Sequence, residues 1–322
     1  MLDDNGLCEI HKNLGEDYLG VVCKQFPRYS EYYGTIKESG IGLACEEAAR
    51  IILSENRPFS METAACDEEY EPSSEYDSSF ALQIFAAREA VFKILAKESL
   101  SIHEKLIVIL DMGSKIQQCI NTDEYDNIKS VVNDYLKEGI AHTLDETRNL
   151  SDSGQFEDIS LQQGIRQILY PYEEMEVLNP EWEVILKDII DSLFEQMSDE
   201  EYNILNEEFG TYMVSRAYEY RQLLEYLVFR YFAKSIYDYD FLGKCQMLVT
   251  NFFVIRQMDI IRWLDNHREY SFKDRMDVVH IFSRQVEYSE DNIENLYEDF
   301  IFDDIFKTDS LIAILWIDSE NI

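Results

Sequence analysis

The sequence is poor in proline and glycine, with 5 prolines and 12 glycines among 322 residues. All five prolines lie outside the periodic apolar runs, and six of the glycines fall within the first 42 residues. Proline disrupts helix interiors and glycine weakens them. Their scarcity beyond residue 79, together with an apolar period near 3.6, predicts helices there with little or no sheet.

Basic residues are also scarce, since 28 Lys and Arg stand against 64 Asp and Glu, which gives a formal net charge of −36. Such a surface repels phosphate backbones, so nucleic acid is excluded as a partner. A cationic partner, such as a lysine-bearing protein surface, would be attracted. The alternative is that the acidic surface serves solubility alone.

Long hydrophobic runs are absent. The longest, "LIVIL" at 106–110 and "LIAILWI" at 311–317, are too short to cross a bilayer. The acidic start "MLDDNGLCEI" lacks the apolar core of a signal peptide, and six irregularly spaced cysteines do not resemble a secreted disulfide framework. These features predict a cytoplasmic protein without membrane insertion.

Several familiar catalytic motifs are missing. The chain has no G-x-G-x-x-G after a strand, no G-x-x-x-x-G-K-[ST], no H-E-x-x-H and no G-x-S-x-G. Its five histidines are scattered without mutual metal-ligand spacing, apart from a short Cys8-x-x-His11 pair. Residue patterns alone therefore identify no catalytic centre.

The sequence predicts a mainly α-helical protein, and its composition divides the chain into three parts. Residues 1–60 form a small cysteine-bearing module with little regular structure, and 61–78, with seven acidic residues in 61–77 and no basic ones, indicate an acidic linker or loop. Residues 79–322 predict an irregular multi-helix domain, in which 212–234 and 242–264 form neighbouring central helices. Helix starts are indicated by capping patterns at Ser101, Ser198, Ser271 and Asn179–Pro180.

Three cysteines lie in the glycine-dense amino end. Cys8, Cys23 and Cys45 are separated by 14 and 21 residues, which matches no standard zinc-finger spacing. Spacing alone therefore favours small buried side chains over metal ligands. Cys66, Cys119 and Cys245 are interpreted as ordinary packed residues.

A resemblance changes the interpretation of the amino end. The stretches "LDDNGLCEIHKNLGEDYLGVVCKQFPR" and "GLACEEAARIIL" resemble the conserved block of the bacterial flagellin lysine-N-methylase family. The likeness continues through "LEYLVFRYFAKSIYD", "IRQMDIIRWL" and "SRQVEYSEDNIENLYEDF". It thus extends over nearly the whole chain.

The resemblance implies transfer of methyl groups from S-adenosylmethionine to lysine side chains of flagellin before flagellin is exported. It also implies a cysteine-bound metal centre, either an iron–sulfur cluster or zinc, with Cys8, Cys23 and Cys45 as ligands. The donor's carboxylate requires a cationic partner, and Arg28, in the same block, is the candidate. A structural salt bridge is the alternative role for Arg28.

The sequence also departs from the family pattern. Family members carry further cysteines upstream, in a module that we expect to be missing here, and Glu46 replaces the usual proline after Cys45. Three thiolates do not close a four-ligand site, so we expect weak metal binding and poor activity. The alternative function is a truncated, non-catalytic acidic helical protein that binds a lysine-rich partner. A tyrosine-rich stretch around Tyr218, Tyr220, Glu225, Tyr226 and Tyr231 could line an acceptor pocket, but such stripes are more often core, so no catalytic residue is assigned from it.

Overall fold

The computed structural model describes residue 3 and residues 7–65, 77–152 and 159–320, and this part of the chain is mainly α-helical with one small β-sheet. Short 3₁₀ or π-helical turns join or extend several of the helices. The α-helices are α1 (Glu9–Leu14), α2 (Val21–Gln25), α3 (Glu46–Leu53), α4 (Ser78–Leu95), α5 (Ile102–Asn121), α6 (Ile128–Asp134), α7 (Ile140–Asp152), α8 (Leu161–Glu173), α9 (Pro180–Ile189), α10 (Asp199–Met213), α11 (Ala217–Tyr231), α12 (Ser235–Asp238), α13 (Phe241–Asp265), α14 (Phe272–Val286), α15 (Glu290–Phe302) and α16 (Thr308–Glu320).

Helix α13 is the centre of the fold. All but four of its 25 residues are buried, because α5, α8, α9, α11 and α14 pack around it. Its contact with α5 is close at Gly113, where an added Cβ would lie 2.5 Å from the Sγ atom of Cys245. This helix confirms the prediction made for 242–264, and its neighbour α11 covers part of the other predicted central helix.

The predicted helix starts are confirmed. Ser101, Ser198 and Ser271 each form a capping box. In each, the serine hydroxyl accepts a hydrogen bond from the backbone N–H three residues later, and the acidic side chain of that later residue accepts one from the backbone N–H of the serine. Asn179 caps α9, which begins at Pro180. These local bonds satisfy backbone N–H groups that have no partner within the helix.

Two local expectations were wrong. The helix predicted over 212–234 is broken, since α10 ends at Met213 and a 3₁₀ turn precedes α11. At this break the Arg216 guanidinium donates to Glu219 and to the carbonyl of Tyr270, which holds the turn. The expectation that every proline lies outside the helical runs was also wrong, because Pro171 lies inside α8. It is two residues before the helix ends, where the loss of one backbone hydrogen bond costs less than in the middle of a helix.

The one sheet of the described residues is a hairpin near the amino end. Strands β1 (Arg28–Tyr33) and β2 (Ile36–Ile41) pair antiparallel, with Arg28 opposite Ile41 and Tyr33 opposite Ile36. Gly34 has a positive φ of 59°, which the first position of a type II′ hairpin turn requires. The described residues within 79–322 contain no strand, which confirms the prediction for that region.

The regular elements of the amino end are short: α1, α2, the hairpin and α3. Helix α3 packs against α11 and α14. Of the predicted acidic linker, residues 66–76 lie outside the described residues, so the three-part division stays a prediction. None of the helices in the described part is long and apolar enough to cross a membrane.

A charged carboxylate, that of Asp318, is buried in the helical core. Asp318, on α16, is fully buried and accepts from His103 Nε2 at 2.6 Å and from Asn206, while Arg256 of α13 lies 3.9 Å away. Burial alone would raise the pKa of Asp318, but the charges of Arg256 and His103 and these hydrogen bonds lower it to about 2. The carboxylate therefore stays charged in the core.

We expect Asp318→Asn to lower the free energy of unfolding by about 3–5 kcal/mol, because it leaves Arg256 buried without its counter-charge. The pKa is lower in the folded state than the value of about 3.9 in the unfolded chain, so the stabilisation is complete above that value and is lost as pH falls through about 2. Urea unfolding at pH 7 and below pH 4 measures both effects. Asp145→Asn, on an exposed position of α7, is the matched control, and equal losses from the two variants would contradict the assignment.

Lys105, on α5, is buried without the charged partners that Asp318 has. It is 5% exposed and forms no ion pair or hydrogen bond with a described residue, although it borders a cavity of about 580 Å³ together with Tyr218 and Arg221. Burial lowers its pKa and the charge of Arg221 lowers it further, while Glu225 opposes the shift. The ammonium form is thus disfavoured in the folded state.

We expect Lys105→Met to raise the free energy of unfolding at pH 7 by about 1 kcal/mol, because the buried amine has no compensating bond. The pKa is lower in the folded state, so the ammonium form stabilises the unfolded chain, and this advantage of the variant disappears as pH rises to about 10.4. Thermal unfolding across pH 7–10 tests this, with exposed Lys129→Met on α6 as control. A destabilised Lys105 variant would show that the amine has a stabilising partner.

Candidate functional site

The three candidate metal ligands lie on short elements at the amino end. Cys8 directly precedes α1, Cys23 lies within α2 and Cys45 directly precedes α3. Cys23 is exposed, Cys8 and Cys45 are half-buried, and all three are free thiols. Within residues 3, 7–65, 77–152 and 159–320, no group of three or more His, Cys, Asp or Glu side chains is arranged to hold a metal ion. A ligand role for these cysteines therefore stays a prediction.

The remaining cysteines and the candidate histidine are less informative. Cys119 and Cys245 are buried on α5 and α13, which confirms their interpretation as packed thiols. Cys66 lies outside the described residues. His11 lies on α1 and is exposed.

Arg28, the candidate for binding the donor's carboxylate, opens β1 and is exposed. It forms no salt bridge with any described residue, so the alternative structural role has no support from this part of the chain. The next residue, Tyr29, faces the helical body and is half-buried. Donor binding by Arg28 stays a prediction.

A buried charge pair joins the hairpin region to the helices. The Nε atom of Arg230, near the end of α11, lies 3.1 Å from Glu287 Oε2, just beyond α14. The Tyr29 ring lies over the guanidinium, with 4.7 Å between the ring centroid and the guanidinium carbon. Burial opposes the charge of Arg230, but Glu287 and the surrounding tyrosines raise its pKa, so it stays protonated.

Two tyrosines of α11 complete this cluster. The hydroxyls of Tyr226 and Tyr231 both donate to Glu287 Oε2 at 2.9 Å, and Arg230 Nη1 donates to the Tyr226 hydroxyl at 2.8 Å. Burial raises the pKa of each phenol well above its ordinary value, and Glu287 raises it further. Both phenols therefore keep their protons and act as donors, while Glu287 Oε1 has no partner among the described residues.

The loop that leads to Cys45 lies directly on this cluster. The Leu43 amide lies 3.4 Å from the Tyr226 hydroxyl, to which it donates. At Gly42, an added Cβ would lie 3.1 Å from the Tyr288 hydroxyl and 3.2 Å from Arg230 Nη1. A side chain at position 42 would therefore press on the charge pair, which explains the glycine.

Beside the cluster, a cleft of about 290 Å³ opens between the hairpin, the 57–60 segment and α11. Aromatic rings form much of its wall, and the polar groups are a carboxylate, an amide and a guanidinium. Its main side chains are Tyr29, Arg57, Phe59, Gln222, Glu225, Tyr226 and Phe229. Apolar walls with few polar groups are typical of small-ligand sites.

Glu225 is the carboxylate of this cleft and is 3% exposed. Its Oε1 accepts from Arg221 Nη1 at 2.8 Å, and the same guanidinium donates to Asn56 and to the Arg57 carbonyl. Burial raises the pKa of Glu225, and Arg221 offsets part of that shift. A carboxylate in this position takes up a proton more readily than one in water.

The cleft continues into a larger groove of about 670 Å³ between β2 and the segment 59–65. Phe59, Ser60 and Phe229 border both spaces. Phe59 is held by stacking on Phe92, with ring centroids 4.1 Å apart. The two spaces therefore adjoin at these three residues, and Glu225 borders the smaller one.

The sequence predicted part of this site. The tyrosine-rich stretch of α11 was noted as a possible pocket wall, but an aromatic stripe alone did not separate Tyr226, which lines the cleft, from Tyr220, which is core. Tyr29, Phe59 and Glu287 were missed. Of these three, only Tyr29 had a sequence signal, the alternation "RYSEYYGTIKES", which indicates a hairpin with Tyr29 on its inward face.

Comparison with known proteins identifies the helical body. The sequence profile described as the FliB lysine N-methylase C-terminal domain matches residues 88–314, which is about 70% of the chain. Searches of curated proteins and of solved structures find no significant match. The matched region includes α11 and Glu287, whereas the hairpin precedes it. By this match, the chain belongs to the FliB lysine N-methylase family.

Proposed function

We propose that this protein transfers methyl groups from S-adenosylmethionine to lysine side chains of flagellin in the cytoplasm, and that the cleft beside Glu225 receives the acceptor lysine. Family membership supports the reaction class. The observation that carries the site assignment is a buried carboxylate with a raised pKa in an aromatic-walled cleft. No other described cavity combines these features.

The chemistry explains why such a carboxylate is useful. A lysine ammonium has no lone pair, so it must lose a proton before its nitrogen can attack the methyl carbon of the donor. Glu225 is placed to accept that proton, and its raised pKa brings it closer to the pKa of the amine. The nitrogen–carbon bond then forms as the carbon–sulfur bond breaks, and the electron pair remains on sulfur.

The aromatic walls serve the same step. Tyr29, Phe59, Tyr226 and Phe229 would contact the apolar stem of the lysine and exclude water, which disfavours the charged amine. Aromatic faces also attract a cationic sulfonium. Arg28, adjacent to Tyr29, is the proposed partner of the donor's carboxylate.

We also propose that Cys8, Cys23 and Cys45 bind iron, as an iron–sulfur cluster, with zinc as the alternative. Thiolates are suitable ligands for both. Their present arrangement does not fit a closed site, because no three ligand-type side chains of the described residues are grouped for a metal ion. No step of methyl transfer is therefore assigned to a cluster.

The base assignment predicts that Glu225→Gln lowers kcat by about 10²–10⁴-fold at pH 7, because the amide cannot take the proton. The deficit shrinks as pH rises toward the pKa of free lysine, about 10.4, since solvent then supplies the neutral amine. Methylation of flagellin with labelled donor across pH 7–10 measures this profile. Glu89→Gln, an exposed residue of α4, is the control.

A merely structural role would give a different result for Glu225. The rate loss would then follow the loss of folded protein and would not depend on pH. Flagellin binding by the unaltered chain without any methyl transfer would instead favour the non-catalytic alternative.

The metal assignment predicts that the chain, reconstituted anaerobically with iron and sulfide, holds less than one cluster per chain. Replacing Cys8, Cys23 and Cys45 together by Ala should reduce bound iron to background, because thiolates are the ligands. Iron and sulfide analysis with the visible absorption spectrum gives the measurement. Cys119→Ala is the matched control, and iron content unaffected by the triple replacement would refute the ligand assignment.

A further inference from the structure

The two edges of the hairpin differ in what their backbone groups can bind. The Gly42 amide donates to the Pro27 carbonyl at 2.8 Å, which makes this a hydrogen-bonded pair and fixes the alternation along the ladder. By this alternation the backbone groups of Ser30 and Ser39, which are paired opposite each other, point away from the partner strand. Ser30 thus presents the outer edge of β1, and Ser39 that of β2.

The outer edge of β1 is already used by the protein. The Tyr237 hydroxyl, from α12, donates to the carbonyl of Tyr32 at 2.7 Å, as the alternation requires. Lys234 pairs with Glu31 of the same strand at 2.9 Å. These contacts attach β1 to the helical body.

The outer edge of β2 faces the large groove instead. Ser39 borders this groove, and the opposite wall is the extended segment 59–65. Seven of its fifteen lining residues have small side chains, which leaves room for a further chain: Gly34, Thr35, Ser39, Ser60, Thr63, Ala64 and Ala65. The backbone groups of Ser39 have no hydrogen-bond partner among the described residues. A strand edge with unpaired groups beside a groove is suited to bind an extended peptide by backbone pairing.

The inward face of β2 leads to the cleft. Gly40, next to Ser39, borders the cleft, and the Tyr29 hydroxyl lies so close over it that an added Cβ would be 2.5 Å away. On a strand added beside β2, every second side chain would point to this same face. A lysine there would lie beside Phe59 and Phe229, which border both spaces, and Glu225 borders the second of them.

We propose that the outer edge of β2 binds an extended, lysine-bearing segment of the protein substrate as a third strand, and that this pairing delivers the lysine to the cleft. The inference rests on the proposed function. Charge supports this occupant, because a protein of net charge −36 attracts a lysine-rich segment, and Glu225 at the end of the path complements an ammonium. Because the groove and the cleft adjoin at Phe59, Ser60 and Phe229, the segment would occupy the groove while its lysine side chain enters the cleft.

The hairpin offers a symmetric test. Proline at position 39 removes an amide that points to the groove without breaking the ladder, and proline at position 30 makes the same change on the β1 edge. Both variants lose the same hydrogen bond between the Ser30 and Ser39 hydroxyls. We expect Ser39→Pro to weaken binding of a 20-residue lysine-bearing flagellin peptide at least fivefold, and Ser30→Pro less than twofold, by fluorescence anisotropy.

Two further comparisons keep the test decisive if a proline variant fails to fold. Ala64→Trp fills the groove and should weaken binding, whereas Ala141→Trp on exposed α7 should not. The same peptide with alternate backbone amides methylated should bind weakly to the unaltered protein. Equal affinity of the Ser39 and Ser30 variants, or of the two tryptophan variants, would overturn the proposal.

Failure of the strand-pairing proposal and failure of the proposed function give different results. If Ser39→Pro and Ala64→Trp bind and methylate flagellin as the unaltered protein does, strand pairing is wrong and the methylase function stands. If the unaltered protein binds the peptide in a manner that depends on Ser39 but transfers no methyl group, the pairing stands and the methylase function is wrong.

Discussion

Helix α13 can occupy the centre of the fold only because other helices supply counter-charges to its buried ionic side chains. Asp259 binds Arg275 of α14 at 2.6 Å, and Lys244 binds Asp238 of α12 at the same distance. A buried pair contributes little net stability, but a mismatch leaves an uncompensated charge in the core. The packing of α12, α14 and α16 around α13 is therefore specified by charge as well as by apolar fit.

Helix α11 links this core to the amino end. On one side the Tyr220 hydroxyl donates to Asp259 of α13 at 2.5 Å. On the other, Arg221 and Gln222 donate to the 55–57 segment, and Arg230 lies against Glu287 beneath the hairpin. Glu225 lies between these contacts, so the same helix positions both the carboxylate of the cleft and the two walls beside it.

The sequence predicted the parts of the fold that depend on local chemistry. Capping patterns at Ser101, Ser198 and Ser271 and the apolar character of 242–264 were sufficient for helix starts and for α13. The break before α11 was not predictable, because it depends on the Arg216 contact with the Tyr270 carbonyl, far along the chain.

The candidate site was harder to foresee for the same reason. Its walls come from the hairpin, the 57–60 segment and α11, which no periodicity relates to one another. Tyr226 and Tyr220 look alike in sequence, and only the position of the hairpin separates a cleft residue from a core residue. The roles of Cys8, Cys23, Cys45 and Arg28 came from resemblance and remain predictions.

The contact of Gly42 with Arg230 and Tyr288 has a consequence for how such proteins can recombine. The amino-terminal segment and the end of α11 are distant in sequence, yet a side chain at position 42 fits only if the ends of the Arg230 and Tyr288 side chains shift by a few tenths of an ångström. A chimera that takes its first sixty residues from a relative with a larger residue at this position would place that shift on the Arg230–Glu287 pair. These stretches are therefore expected to be inherited as one unit.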